Sequence, residues 1–260
     1  MTEKNVQTLE RSLDVLEVLA QAEGALGVTE IGNRVSLHKS TVHRILQTLA
    51  HRGYVARERD GDRYYLGIKI VELGIRFFDD LQIRKVAEPY LSDLANMVDE
   101  VVHLVLFDQG EIVYLDKIEG SQIIGMRSRV GRRAPMHCTA AGKAILSTLS
   151  EDEVRQILKV KGMPRLTHNT KTDVRELLEE FPEIRRTKVA RDNEENDLGI
   201  TCLGTPVFDY SGRAIGGVSV SGPSIRMEEK GLDRISAELR RAGEEISTQL
   251  GYRVQAHFDD

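Results

Sequence analysis

The segment from Val28 to Arg63 constrains this chain more than any other, because two short helical patterns joined by a brief turn run straight into an arginine-rich hairpin. Val28, Ile31 and Val35 share one face of the first pattern. Val42, Ile45, Leu46 and Leu49 recur at three- and four-residue intervals in the second, which spans His38 to His51 and stops at Gly53. Ahead of them, Val6 to Ala20 sets Leu9, Leu13, Leu16 and Leu19, backed by Val15 and Val18, at helical spacing before Gly24 and Gly27 interrupt it. Behind them, Tyr54 to Arg59 and Arg63 to Leu66 are β-prone runs around the turn Asp60-Gly61-Asp62. Three helices and a basic hairpin predict a winged helix-turn-helix over residues 1–67.

Charge supports that reading by its position. The chain carries a formal net charge of −5, yet Arg34, Lys39, Arg44, Arg52, Arg57, Arg59 and Arg63 oppose only Glu58, Asp60 and Asp62, a local balance of +4. A protein that coats nucleic acid along its whole surface is excluded, whereas a localised basic face is implied. The start of the second helix of the pair offers Lys39, Ser40, Thr41, His43 and Arg44 outward while Val42 and Ile45 pack behind. That is the division a groove-reading helix needs, since its N-terminal end meets base edges and phosphates. Arg57, Arg59 and Arg63 on the hairpin are placed to reach the neighbouring backbone or minor groove of duplex DNA. The plainer alternative is a helix start at Ser40-Thr41 and a solvated cationic face.

Ile68 to Phe78 keeps Ile68, Val71, Leu73, Ile75 and Phe78 apolar, as a linker helix or dimer contact would, over a segment taken as 68–82. The rest, 83–260, opens with a helix from about Ile83 to Val98. Strands follow at Val101 to Phe107 and Glu111 to Lys117 around Asp108-Gln109-Gly110, with a third around Gln122 to Val130. Helical patterns return at Ala140 to Thr148, Glu151 to Lys159 and Val174 to Thr187. Strands at Ile200 to Phe208 and Ala214 to Ser221 precede a last helix from about Glu228 to Leu250. Strands, then helices, then strands predict an α+β domain on a mostly antiparallel sheet.

With 260 residues, 40% of them hydrophobic, the chain buries a core, and no apolar stretch approaches the roughly 20 residues of a membrane helix. Met1 to Glu10 lacks the apolar core of a signal peptide, so the cytoplasm is the expected compartment and no membrane partner is expected. Two distant cysteines, Cys138 and Cys202, suggest neither a disulfide framework nor a zinc finger, and no cofactor is expected.

Three stretches resemble the IclR-type bacterial transcription regulators: Val28 to Leu49 with its Lys39-Ser40-Thr41-Val42-His43-Arg44 core, Pro135 to Ala144, and Gly199 to Asp209 running on to Val218-Ser219-Val220-Ser221-Gly222-Pro223. The likeness spans essentially the whole chain and departs at His38, where the family commonly carries proline. The resemblance implies a GAF-like effector domain after the DNA-binding head and a homodimer or homotetramer on a palindromic operator. It also implies a small carboxylate as the controlling ligand. Asp192 and Cys202 join the effector pocket by the same resemblance, and Asp192-Asn193-Glu194-Glu195-Asn196 is most like regulators of sugar-acid breakdown. Aromatic acids are the other class considered.

The residues themselves add to this. Thr139 followed by Ala140-Ala141-Gly142 at a helix start offers backbone N–H groups with no bulky side chain above them, a setting that suits a carboxylate. Ser219 and Ser221 alternate with Val218 and Val220, so both hydroxyls face one side of a strand. Plainer roles stand beside these: Thr139 as a helix cap, the serines bonded to the sheet, Cys202 as core, and Asp192 in a solvated acidic loop. Competing functions are a ligand-independent repressor and a metal-responsive regulator drawing on His103, His137, Cys138, His168 and Cys202. Last comes a thiol enzyme built on Cys138 beside His137, which lacks a third, orienting group.

Overall fold

The computed structural model describes residues 6–59, 61–121 and 128–253, the side chains of 78–80 excepted, and the chain divides into two compact units, Met1–Leu81 and Gln82–Asp260. In the first unit, α1 (Gln7–Gln21), α2 (Val28–Arg34) and α3 (Lys39–His51) surround a core of Val15, Leu19, Ile31, Val42 and Leu46. The α3 stripe lies where the sequence puts it, whereas in α1 Leu9 and Leu13 of the expected stripe are exposed and Val15 fills the core beside Leu19. A short β1 (Leu26–Gly27) pairs with β3 (Arg63–Leu66), which pairs in turn with β2 (Val55–Arg57), so the wing is a three-stranded antiparallel sheet. Tyr64 seats it by turning its ring into the core. The 13-residue α4 (Ile68–Asp80) follows.

The second unit stacks helices on both faces of one six-stranded sheet, in the order β6-β5-β4-β9-β8-β7 with every pairing antiparallel. Its strands are β4 (Val101–Asp108), β5 (Glu111–Ile118), β6 (Arg133–Ala134), β7 (Ala190–Asn193), β8 (Ile200–Phe208) and β9 (Ala214–Pro223). Alternation sorts their side chains. Val102, Leu104, Leu203, Val218 and Val220 point one way, onto α5 (Gln82–Val98) and α11 (Leu232–Gln249), whose Leu91, Leu94, Leu239 and Ile246 complete that layer. The opposite face carries the short α6 (Ala140–Leu146), followed by α7 (Glu151–Lys161), α8 (Val174–Leu178) and α9 (Phe181–Thr187).

Several boundaries differ from expectation for local reasons. The run Val174 to Thr187 is two helices, because Pro182 lacks an N–H and sits only in the first turn of α9. The final helix begins earlier, as α10 (Ser224–Lys230), and breaks at Gly231, which adopts φ +84 before α11 starts. Strands β1, β6 and β7 have no counterpart in the sequence reading. The strand expected around Gln122 to Val130 falls mostly on residues 122–127, outside the described residues, as does Asp60 in the wing turn.

Candidate functional site

On the head, Lys39, Ser40, His43 and Arg44 are exposed along the N-terminal half of α3, Thr41 is half-buried, and Val42 and Ile45 are buried behind them. Gln47 continues the exposed stripe one turn on, a position the sequence reading passed over. Two of the wing arginines have duties inside the domain. Arg57 pairs with Asp62 and donates to the Gly61 carbonyl at 3.0 Å; Arg63 donates to the Ala25 carbonyl at 2.7 Å and faces Glu30 at 3.4 Å. They fix the wing's shape and stay half-exposed beside a groove that Lys39 and His43 also line. Arg59 is exposed near the tip.

In the second unit, a cavity of about 730 Å³ opens between the sheet and α6. Thr139, Ala140, Ala141, Asp192, Cys202, Ser219 and Ser221 all line it. Strand register explains why. Asp192 on β7 pairs with Cys202 on β8, which pairs with Ser221 on β9, and the next row holds Gly204, Ser219 and His103. Residues paired in register share a face, so one surface of a hydrophobic sheet carries a polar stripe. Within it Cys202 sits in register between Asp192 and Ser221, and its thiol is held protonated by burial and by the neighbouring Asp192. Above the stripe, the Thr139 hydroxyl donates to the Pro135 carbonyl at 2.7 Å instead of capping, so no side chain covers the first amides of α6. His103, Tyr114, Ser128, Thr167 and Asn196 also line the cavity and were not foreseen as pocket residues.

Two members of the acidic run, Asp192 and Glu195, are buried, while Asn193 between them stays exposed. Asp192 is 2% exposed and its Oδ1 accepts the Glu195 amide at 2.7 Å and the Asn196 amide at 3.3 Å. The Glu195 carboxylate receives the fully buried Lys143 ammonium at 2.5 Å, and Lys143 also reaches Glu180 at 2.8 Å. Burial pushes the Asp192 carboxyl up to about 7, opposed by the Glu195 amide and assisted by the Glu195 charge. A carboxyl that stays protonated in the folded state up to about pH 7 binds more protons than its unfolded counterpart throughout that window, so its contribution to stability falls as pH rises. Relative to Asp192→Asn, the wild type therefore loses about 2 kcal/mol between pH 5 and pH 7 in urea titrations. A difference that does not change with pH would refute the assignment.

The remaining candidates part company. Burial, together with Asp192 and Glu195, pushes the Cys138 thiol up to about 12, and its hydrogen goes toward Asn196 Oδ1 at 3.9 Å. His137 turns away to the Pro164 carbonyl at 3.1 Å, so the pair makes no thiolate nucleophile. Among the described residues no three His, Cys, Asp or Glu side chains gather in a metal-holding group, and no helix is long and apolar enough to cross a membrane.

Comparison with known proteins matches the same two units. Residues 8–59 fit the IclR helix-turn-helix domain and residues 75–248 the bacterial transcriptional regulator IclR C-terminal domain. The HTH-type transcriptional regulator KdgR of Escherichia coli K12 is 37% identical over 248 residues, covering 95% of this chain and 94% of that protein. The crystal structure of the Thermotoga maritima IclR is 37% identical with a TM-score of 0.78, over 95% of this chain and 100% of that one. An IclR homologue from Microbacterium hydrocarbonoxydans, solved in complex with 4-hydroxybenzoate, is 25% identical with a TM-score of 0.82, over 94% and 98% of the two chains. A DNA-reading head joined to an antiparallel α+β domain, with sequence likeness running through both, thus makes this chain a transcription regulator, not an enzyme, and a member of the IclR family.

Proposed function

We propose that the protein is a repressor that reads a palindromic operator as a homodimer or homotetramer and is controlled by a small organic acid bound in the cavity of its second unit. The polar stripe facing the uncapped start of α6 carries this reading. Hydroxyls of Ser219 and Ser221 and open amides are hydrogen-bond donors suited to a carboxylate, and Asp192 accepts from a ligand hydroxyl. Residues 1–67 serve as the DNA-binding head, 68–82 as the linker and 83–260 as the effector domain. The linker helix leaves Ile68 (69% exposed), Val71 (50%) and Ile75 (55%) on one face, an apolar stripe that a second copy would cover. The resemblance of Asp192-Asn193-Glu194-Glu195-Asn196 to regulators of sugar-acid breakdown, and likeness to the 4-hydroxybenzoate-bound homologue, point to sugar acids or aromatic acids as the classes to try first. Linkage requires only that the acid prefer one arrangement of the paired heads.

A single titration tests both ends. Gel shifts on promoter fragments flanking the protein's own gene should show specific binding that Arg44→Ala weakens by about 1–3 kcal/mol. A panel of keto, hydroxy and aromatic acids should shift both melting temperature and operator affinity, and Ser221→Ala should abolish that response. Operator binding without any response to acids would favour the ligand-independent repressor. Unchanged binding by Arg44→Ala would remove that residue from the reading surface.

A further inference from the structure

Asp192 is a buried carboxyl without a countercharge, in a cavity read as a site for anions. It is 2% exposed, and among the described residues no lysine or arginine forms an ion pair with it. Its Oδ1 is taken by the amides of Glu195 and Asn196, at 2.7 and 3.3 Å, so an acid proton resides on Oδ2. Among the described residues Oδ2 has no hydrogen-bond partner, yet it is not sealed in as the unpaired His103 Nδ1, His137 Nδ1 and Glu195 Oε2 are. It therefore opens to the cavity that Asp192 lines. Cys202 on β8 and Tyr114 on β5 are pushed up chiefly by burial, and Cys138 ahead of α6 is pushed up to about 12, so all three stay protonated near neutral pH. Burial pushes His103 on β4 down to about 3, which leaves it neutral. Lys143 on α6 is engaged by Glu195 and Glu180, and Asp197 by the Asn196 side chain. Arg132 and Arg133 line the cavity from exposed positions, Arg133 paired with Asp108 and Glu111.

Resting on the reading that an organic acid fills this cavity, we propose that Asp192 and the effector carboxylate share a single proton, so that above neutral pH each acid bound takes one proton up from solvent. Two facing carboxylates without a cation between them do not both stay ionised, and one proton turns their repulsion into a charge-assisted hydrogen bond. Register leaves room for it. Asp192, Cys202 and Ser221 are paired side by side, so Asp192 and Ser221 stand two strand spacings apart, about 10 Å between backbones. A carboxylate hydrogen-bonded through both oxygens spans about 8 Å between its partners, which suits a position over the compact Cys202, with Asp192 at one end and the Ser221 hydroxyl at the other. Ionised, Asp192 accepts from a ligand hydroxyl; protonated, it donates through Oδ2, and an anionic ligand selects the donating state. Burial, opposed by the Glu195 amide, pushes this carboxyl up to about 7, so the selection falls within the physiological range.

Calorimetric titration of the full-length protein with 4-hydroxybenzoate and with gluconate, at pH 6 and at pH 8, reads this directly. Both acids have carboxyl pKa values of about 4 and stay ionised throughout. Affinity should fall roughly tenfold from pH 6 to pH 8, the factor by which the protonated fraction of Asp192 drops. Repeating the pH 8 titration in HEPES and in Tris, whose ionisation enthalpies differ, should show about one proton taken up per site. Asp192→Asn, whose amide donates without titrating, should bind alike at the two pH values and take up none. Equal wild-type affinity at both pH values with no proton uptake, while Ser221→Ala still abolishes binding, would overturn the shared proton alone. A pH dependence that persists in Asp192→Asn would overturn it too, by assigning the proton to another group. Failure of these two acids and of the whole panel to bind would overturn the effector reading, and this inference with it.

Discussion

Replacing Lys143 by methionine should destabilise the second unit by about 3–5 kcal/mol, because it strands a buried carboxylate. Lys143 is 0% exposed and its ammonium joins Glu195 on the loop after β7 to Glu180 at the start of α9. Glu195 is 3% exposed, its Oε2 has no hydrogen-bond partner among the described residues, and without Lys143 only the longer ion pair with Lys171 faces its carboxylate. Lys171 remains paired to Glu180 but lies 3.8 Å from Glu195. Although burial pushes the Glu180 carboxyl up, Lys143 and Lys171 together hold it below its ordinary range, which shows how closely the two signs balance there. Methionine preserves most of the side chain's volume, so the loss reports electrostatics more than packing. Urea unfolding measures it, and the double variant Lys143→Met, Glu195→Gln should recover a good part of the loss by removing the stranded charge. No recovery would mean that the lysine acts through its methylenes. Because Asp192 accepts the Glu195 amide, the single variant should also blunt the response to acids.

The parts of this molecule that announce themselves in sequence are those whose periodicity matches one element. Val15 and Leu19 in α1, and Val42, Ile45 and Leu46 in α3, mark their helices because burial repeats every three or four residues, although Leu9 and Leu13, at the same spacing in α1, are exposed. That pattern outweighs a local breaker in α5, which continues through Pro89 while Leu91, Leu94 and Ala95 remain buried. Alternation likewise brings Ser219 and Ser221 to one wall, and the order of strands and helices suffices for the fold class. What stays hidden depends on distant partners. The composition of Asp192 to Asp197 looks solvent-borne, and only pairing of β7 with β8, together with a lysine 52 residues away from Glu195, turns it inward. Lys143 gives a faint signal, a lone charge among Ala140, Ala141, Ala144, Ile145 and Leu146, but no local rule names its partners. His103 sits inside an apolar strand, and its place in the stripe follows from register with Ser219, which alternation alone does not supply.

Gly204→Ala should cost about 4 kcal/mol or more, the larger effect for the smaller chemical change. In the middle of a strand, a glycine that adopts ordinary extended backbone is normally improved by a methyl group, by roughly 0.4–1 kcal/mol, since the unfolded chain loses freedom. Here the sign reverses. A Cβ on Gly204 would lie 2.4 Å from the Ala140 carbonyl carbon and 2.4 Å from the Ala141 nitrogen. Both are backbone atoms, so no side chain can swing aside, and relief requires α6 to lift off the sheet. That lift is resisted from the helix's other side, where Gly142 already packs so closely that its own Cβ would meet the Met136 Cα at 2.5 Å. The close approach seats the Ala140–Ala141 backbone on Gly204, the partner of Ser219, so on the proposed reading stability and ligand response depend on the same contact. Urea unfolding with acid-induced thermal shifts checks both: Gly204→Ala should lower the midpoint and lose the shift, and Gly204→Val should fail to fold cooperatively. A neutral Gly204→Ala would mean that α6 stands farther from the sheet in solution, and the cavity would then lack its roof of amides.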